Sequence, residues 1–400
     1  MAANLCLRAL IVLGLALAGC ADAPAEGEEH PNTAGFVRPA PPLGRLELGG
    51  PERNPDAVGA RDLPVQLSRT PSAIFGVETT PGDQLFGSVT GAVVDGRGRL
   101  FILDSRARLV RTFEAAGPGA TAGETVGGAG SGPGEFLNPV VLAVVPDERL
   151  LVLEVRGQLS VFDAERDSVR FSHLVRLDRE VWDGCVLGEE LFVHGRRAGE
   201  AETVHAYDLD GARRNSFAEV YRTGNPIVRH QISRGRVACA GNPGLILVAP
   251  THLPELRAYT PDGDLRWWLE LGGFQPIRIT EVRDEGGRRG SVMRVPSEGW
   301  HTPVGLVASD RDPLALFQVA SHGSTNEEAG QAEATPDVGT FLIHLDEGWA
   351  RPLGHHWPPV VAWEGDRVLA VREELHPELL VFEVRSPPHR APVEGPESPA

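Results

Sequence analysis

Lysine is absent from the sequence, so all 38 of its cationic side chains are arginines. The chain carries 55 acidic residues, which gives a formal net charge of −17 at pH 7. Because proteins that bind phosphate backbones normally present excess positive charge, this balance argues against nucleic acid as a partner. We interpret the missing lysine as a bias of coding composition and not as a recognition surface.

The sequence motifs of common catalytic and metal sites are also missing. The 13 histidines include no His-Glu-x-x-His or His-x-His spacing, and neither Gly-x-Ser-x-Gly nor Gly-Lys-Ser/Thr is present. No helix-forming segment follows the glycine-dense stretch Gly128 to Gly134, so we predict a loop there and not a phosphate cradle. We therefore assign no catalytic residue and no metal ligand, and we predict no cofactor.

The first residues predict export. Residues 1–8 carry one positive charge, and the apolar run Ala9 to Leu17 is too short to span a bilayer as a helix. The next residues, ending at Gly19 and Cys20, resemble the lipobox of bacterial lipoproteins. The resemblance implies cleavage before Cys20 and acylation of its thiol, and several acyl chains on one residue give stable anchoring. Ala21 stands where the inner-membrane retention signal has Asp, so we expect a lipid-anchored protein on the periplasmic or outer-membrane and cell-surface side. An ordinary secretion signal is the alternative.

A repeat organises the rest of the chain. The loop Gly130 to Pro139 leads into an apolar strand, a tight turn and a second strand, and the same plan begins at Pro81. Pro133 follows Pro81 by 52 residues, and an Asp stands fourteen residues after each of them, at Asp95 and Asp147. A period of this size, made of short strands and turns, is typical of β-propeller blades.

Six copies of the second strand can be counted, and they start at Leu100, Leu150, Leu191, Leu245, Leu314 and Val368. The fold class is therefore predicted as all-β, a six-bladed β-propeller of four-stranded antiparallel blades. The last blade lacks a fourth strand, because the chain turns Pro-rich after Phe382. We assign Pro64 to Phe75 as the missing strand, so that an N-terminal strand closes the ring and no long sheet edge stays exposed.

Three segments carry a resemblance to NHL-repeat and related six-bladed propeller proteins: Gly130 to Pro139, Asp95 to Asp104, and Leu159 to Asp163. The resemblance implies the propeller fold. Related six-bladed folds include lactonases and amidating lyases that hold a metal ion in the central channel. A channel site in which residues of distant blades bind a Ca or Zn ion is therefore kept as an alternative. The innermost strands are predicted as almost entirely apolar, which favours a binding protein over an enzyme.

The expected domain boundaries follow from these assignments. They are a lipoprotein signal peptide (1–19), a flexible tether (20–62), the six-bladed propeller (63–385) and a disordered Pro-rich tail (386–400). With Cys6 in the signal and Cys20 lipidated, Cys185 and Cys239 remain. Each precedes its second strand by six residues, so both occupy the same place on neighbouring inner strands. We predict a disulfide between them, with two buried thiols as the alternative.

Four long insertions cluster on blades three to five and, because strands alternate in direction, emerge on one face of the predicted propeller. They are His194 to Glu202, Arg222 to Ile232, Gly272 to Thr302 and Ser321 to Gly339. Loop length concentrated on one side of a rigid scaffold usually marks where a partner docks. We therefore predict a ligand-binding face, with tolerated surface insertions as the alternative. Its candidate residues are Trp182, His194, Arg196, Arg229, His230, His252, Arg294, Trp300, His301 and His322.

Together these patterns predict an anchored cell-envelope propeller that binds a protein, peptide or saccharide. The rival function is a metal-dependent hydrolase or lyase that uses the channel. A third possibility is a purely structural component of an envelope assembly.

Overall fold

Strands form nearly all of the regular structure. The computed structural model describes residues 44–48, 63–77, 85–166, 168–283, 287–323, 336–355, 357–373 and 376–385. Within these ranges, three short strands come before the repeats: β1 (Gly44–Glu47), β2 (Gln66–Leu67) and β3 (Ala73–Phe75).

Six antiparallel sheets, the blades, then follow in chain order. Blade one contains β4 (Val89–Val94), β5 (Leu100–Asp104), β6 (Leu109–Phe113) and β7 (Ala122–Gly127). Blade two contains β8 (Pro139–Val144), β9 (Arg149–Glu154), β10 (Gln158–Ala164) and β11 (Val169–Arg176). Blade three contains β12 (Glu180–Leu187), β13 (Glu190–Arg196), β14 (Glu202–Tyr207) and β15 (Arg213–Glu219).

The described part of the second half contains one helix and one extra hairpin. After α1 (Pro226–Ile232), blade four contains β16 (Gly235–Ala240), β17 (Leu245–Pro250), β18 (Glu255–Tyr259) and β19 (Leu265–Gly272). A separate hairpin, β20 (Arg278–Arg283) and β21 (Arg289–Arg294), precedes blade five, which contains β22 (Trp300–Ala308), β23 (Leu314–His322), β24 (Asp337–His344) and β25 (Ala350–Gly354). Blade six contains β26 (Val360–Glu364), β27 (Arg367–Glu373) and β28 (Pro377–Arg385).

The inner strands of neighbouring blades contact one another around a closed ring, from β4 through β8, β12, β16, β22 and β26 back to β4. Each second strand lies between the inner and third strands of its sheet and is almost wholly buried, as for Leu100–Asp104 and Leu245–Pro250. Its apolar side chains pack between blades and form the core. The prediction of an all-β, six-bladed propeller is confirmed.

Closure of the ring by an N-terminal segment is also confirmed. The segment forms two short strands, and both pair with β28 of blade six: Leu67 lies opposite Val384, and Phe75 lies opposite Leu379. Phe75 also packs edge-on against Phe113 of blade one, with ring centroids 4.8 Å apart. The last blade thereby gains its outer strand.

One part of the predicted tether is folded. Strand β1, inside the 20–62 range, pairs in parallel with the outer strand of blade four, with Leu46 opposite Leu271. The physical reason is burial, because Leu46 and Leu48 are 4% and 8% exposed and join the core cluster that contains Trp267. The predicted signal peptide, Cys20, the remainder of the tether and the tail 386–400 lie outside the described residues. Among those residues, no helix is long and apolar enough to cross a membrane.

Candidate binding site at the channel mouth

The inner strands enclose a central channel that contains a cavity of about 700 Å³. We call the end at which the inner strands begin the loop face, because the loops between blades and after each second strand emerge there. The opposite end is the turn face. At the loop face the cavity wall includes Thr90, Trp182, Asp183, Arg236 and Glu373, which come from blades one, three, four and six.

A repeated irregularity presents some of these side chains. In every blade except blade four the pairing of inner and second strand shifts by one residue, so that one inner-strand residue has no cross-strand partner. These bulged residues are Thr90, Val140, Trp182, Val304 and Val361. The first three lie four residues before the inner-strand residue opposite Leu100, Leu150 or Leu191. Bulges re-aim side chains, and all five residues line the cavity.

Trp182 is the only aromatic member of this set. Its indole ring packs edge-on against the rings of His194 and His230, with centroids 5.2 and 5.5 Å away. The His230 ring also lies 3.7 Å from a Glu180 carboxylate oxygen. Packing on two sides fixes the indole, and its Nε1 has no hydrogen-bond partner in the described part of the chain. The ring as a whole is partly exposed and lines the cavity, whereas its Nε1 atom is covered by the surrounding chain.

Asp183 follows Trp182 on the same strand and also lines the channel. Its Oδ1 accepts a hydrogen bond from the backbone N–H of Gly184, and its Oδ2 accepts one from Val237 of blade four. Burial raises the pKa of the Asp183 carboxyl, while the nearby positive charge of Arg236 opposes that shift. The carboxylate is therefore held in place by two backbone donors.

Arg236 occupies in blade four the place that Trp182 occupies in blade three. It lies four residues before Ala240, which pairs with Leu245, but the strand pairing there is regular and has no bulge. Its side chain is exposed and lines the cavity. An aromatic ring, a carboxylate and a guanidinium thus meet at one sector of the channel mouth.

The inner strands of blades three and four begin earlier in the chain than the sequence predicted. The prediction began the blade-three strand at Val186 and the blade-four strand at Val237, so it described an almost wholly apolar wall. The observed strands start at Glu180 and Gly235, and the added residues carry the polar groups of the mouth. Asp183 and Arg236 were missed for this reason. The sequence did contain a signal for their position, because Trp182 and Arg236 precede the equivalent cysteines Cys185 and Cys239 by the same number of residues.

Two predicted rim residues lie beneath the surface. His194 and His252 are 1% and 9% exposed, so neither is presented on the rim as the sequence analysis expected. Burial lowers the pKa of each ring to about 4, although backbone hydrogen bonds oppose the shift at His194. Both histidines are consequently neutral at pH 7. His194 acts by supporting the indole of Trp182.

The other predicted residues form separate groups. In blade five, the Trp300 ring stacks on His322 with centroids 4.6 Å apart, and His301 accepts a hydrogen bond at Nδ1 from the Gln275 backbone. Arg229 lies in α1 and donates to the carbonyl oxygen of Thr223. Arg294 is exposed and lies opposite Arg278, at the open end of the β20 to β21 hairpin.

Helix α1 and the hairpin occupy ranges predicted as irregular loops. Asn225 begins the helix, because its Oδ1 accepts hydrogen bonds from the backbone N–H groups of Ile227 and Val228. Its Nδ2 donates to the carbonyl oxygen of Gly290, which ties helix and hairpin together. Residues 324–335, which are part of the predicted insertion Ser321 to Gly339 between β23 and β24, lie outside the described residues.

Cys185 and Cys239 are joined by a disulfide, with an S–S distance of 2.06 Å and α-carbons 5.5 Å apart. The bridge links the inner strands of blades three and four and lines the cavity three residues from Trp182 and Arg236. The two sides of the candidate site are therefore covalently connected.

The turn-face end of the channel has a different character. Glu364 and Asp310 line the cavity there, and Asp310 accepts a hydrogen bond at Oδ1 from the backbone N–H of Gly365. Burial, reinforced by the negative charge of Asp310, raises the pKa of Glu364 to about 8. Glu364 is accordingly protonated at pH 7. Within the described ranges, no three His, Cys, Asp or Glu side chains are grouped to hold a metal ion.

Comparisons with protein families and with curated proteins give no match. Among solved structures, the chain is similar to a member of the DUF4221 family from Bacteroides vulgatus, with a TM-score of 0.53 and 8% identity over 81% of this chain and 99% of that one. It also resembles virginiamycin B lyase from Staphylococcus aureus, with a TM-score of 0.40 and 11% identity over 80% of this chain and 99% of that one. A structural genomics protein of unknown function from Bacteroides thetaiotaomicron gives a TM-score of 0.45 and 10% identity over 80% of this chain and 76% of that one. The likeness to the first shows the fold alone.

Proposed function

We propose that the protein is a lipid-anchored binding module of the cell envelope, and that its ligand enters the loop-face mouth of the channel beside blades three and four. The observation that carries this proposal is the partly exposed indole ring of Trp182, held next to the Asp183 carboxylate and the exposed Arg236. These groups supply an aromatic face, an acceptor and a cation around a cavity of about 700 Å³.

A saccharide is the ligand class that this chemistry favours. A partly exposed indole offers an apolar face, and the carboxylate and the guanidinium can exchange hydrogen bonds with neighbouring sugar hydroxyl groups. Peptide and protein ligands are the competing outcomes of the test below.

The test is to apply the purified protein to glycan and peptide arrays and to repeat the binding with substituted proteins. Trp182→Ala should abolish capture of the bound glycans. Trp182→Phe keeps a smaller aromatic face, so it should retain part of the affinity. Trp300→Ala is the matched control, because Trp300 lies on the loop face in blade five. Capture that survives Trp182→Ala but not Trp300→Ala would contradict the proposed site.

The envelope location rests on the lipobox resemblance around Cys20 and has its own experiment. Labelling cells with an alkyne fatty acid should mark the wild-type protein, and Cys20→Ser should remove both the label and membrane recovery. An unlabelled wild-type protein in the culture medium would contradict the anchor.

The enzyme alternative is decided separately. A metal-dependent hydrolase or lyase should retain a stoichiometric Ca or Zn ion after dialysis, which elemental analysis of the purified protein measures. A structural role would instead be supported by one stable partner recovered after detergent solubilisation, with no glycan captured on the array.

A further inference from the structure

A second concave surface lies on the loop face, between blades two and three. It is a groove of about 550 Å³, separate from the channel cavity. Residues of the turn after β9, of the connection from β11 to β12, and of the end of β13 line it. They are Val155, Arg156, Leu177, Asp178, Arg179, Glu180, Arg196, Arg197 and Ala198.

Two of the four groove arginines have carboxylate partners. The Arg179 side chain is 1% exposed, its Nη1 donates to Glu200 at 3.0 Å, and its guanidinium lies 5.2 Å from the Tyr207 ring centroid. Arg197 pairs with Asp178. These contacts make Arg179 and Arg197 part of the groove wall.

Arg156 and Arg196 have no carboxylate partner among the described residues. Arg156 is exposed on the turn of blade two. Arg196 donates from Nη1 to the carbonyl oxygen of Pro226 at 3.1 Å, which positions its guanidinium without neutralising it. Both residues line the groove although the whole chain carries a net charge of −17. The lining also contains two acidic residues, Asp178 and Glu180, the second of which lies opposite Arg196 in the strand pairing. Because the four arginines outnumber them, the groove is positively charged on a protein that is negative overall.

We propose that this groove is a carboxylate subsite, and that the saccharide bound at the channel mouth is acidic. The extension to a saccharide rests on the proposed function. Strand β12 connects the two places, because Glu180 lines the groove and Trp182, two residues later, lines the channel. Guanidinium groups form paired, charge-assisted hydrogen bonds with carboxylates, and the uronic acid units of a saccharide present that group.

The experiment compares trigalacturonate with neutral galactotriose by calorimetry at low salt, where electrostatic contacts are least screened. The wild-type protein should bind the acidic trimer more tightly. The double variant Arg156→Ala/Arg196→Ala should lose about tenfold or more in affinity for the acidic trimer and keep its affinity for the neutral one. The matched control is Arg170→Ala/Arg266→Ala, which removes two exposed arginines from the outer strands β11 and β19.

The outcomes separate this inference from the proposed function. Loss of both saccharides in Trp182→Ala, with loss of only the acidic preference in the double arginine variant, supports both. Equal weakening of the acidic trimer in the groove and control variants overturns the subsite. Binding of oligoglutamate, but of neither saccharide, overturns the saccharide class. If the wild-type protein binds none of these, a citrate titration decides the groove alone: weaker citrate binding in the groove variant than in the control supports a carboxylate subsite, and equal or absent binding overturns it.

Discussion

Asp183 connects two blades through its side chain, because its Oδ2 accepts a hydrogen bond from the backbone N–H of Val237 at 3.1 Å. Val237 is 4% exposed, so this N–H lies away from solvent and needs a protein acceptor. Trp182 directly precedes Asp183 in the chain, and Arg236 directly precedes Val237. This hydrogen bond and the nearby Cys185–Cys239 disulfide hold the two blades together at the point where we place the ligand.

Replacing this carboxylate should affect stability as well as binding. We expect Asp183→Ala to lower the free energy of unfolding by about 1–3 kcal/mol, because the Val237 N–H loses its acceptor. Asp183→Asn retains an oxygen acceptor and should cost less. Urea denaturation measures both, and Asp210→Ala, in an exposed turn of blade three, is the control. Equal stability of Asp183→Ala and the control would show that the contact contributes nothing.

The disulfide should stabilise the same region. It closes a sequence separation of 54 residues, so its removal in Cys185→Ser/Cys239→Ser should cost about 2–5 kcal/mol. Mass spectrometry of the non-reduced protein should find the two cysteine peptides linked. Reductant should then lower the stability of the wild-type protein and leave the double variant unchanged. Free thiols at both positions, trapped by alkylation of the denatured protein, would contradict the bridge.

The fold was predictable because its signals are local and repeated. Each second strand is visible in the sequence as an apolar run, such as Leu100 to Leu103, and the runs recur often enough to be counted. The closing strand was predicted because the last blade lacks a fourth strand in the sequence pattern. Without another strand, the sheet edge of that blade would stay exposed beside the Pro-rich tail. Ring closure is therefore a consequence of six similar units that bury each other's faces.

The site was less predictable, because it depends on irregularities that alternation cannot reveal. The bulge at Trp182 shifts the strand pairing by one residue, and no periodic pattern in the sequence marks that shift. The helix after Asn225 did have a signal, a helix-capping residue followed by Pro226. Strand β1 had only a short Leu-x-Leu pattern, at Leu46 and Leu48, inside a segment of disorder-prone composition.

Acidification should weaken the fold through buried histidines. An unfolded chain protonates histidine near its ordinary pKa, whereas burial lowers the pKa of His194 to about 4 and that of His205 to about 3. The unfolded state therefore binds more protons as the pH falls from about 6.5 to 4, and stability declines across that window, by about 3 kcal/mol for His194 at its lower end. His194→Gln should show a shallower decline than wild type in urea melts at pH 7, 6, 5 and 4.5. Parallel curves for the two proteins would rule out this contribution.

The folded part of the N-terminal segment, strand β1, should stabilise the propeller. A protein that starts at residue 44 keeps β1, whereas one that starts at residue 63 exposes the outer strand of blade four and the apolar residues that Leu46 and Leu48 cover. We expect the longer protein to match the full chain in urea denaturation and the shorter one to be less stable. Leu46→Ala in the full chain should cost about 2–3 kcal/mol, since Leu46 is 4% exposed. Arg45→Ala, at an exposed neighbouring position, is the control. Identical melting of the proteins that start at residues 44 and 63 would mean that β1 does not stabilise the propeller, and that the whole 20–62 segment acts as the sequence predicted, as a tether.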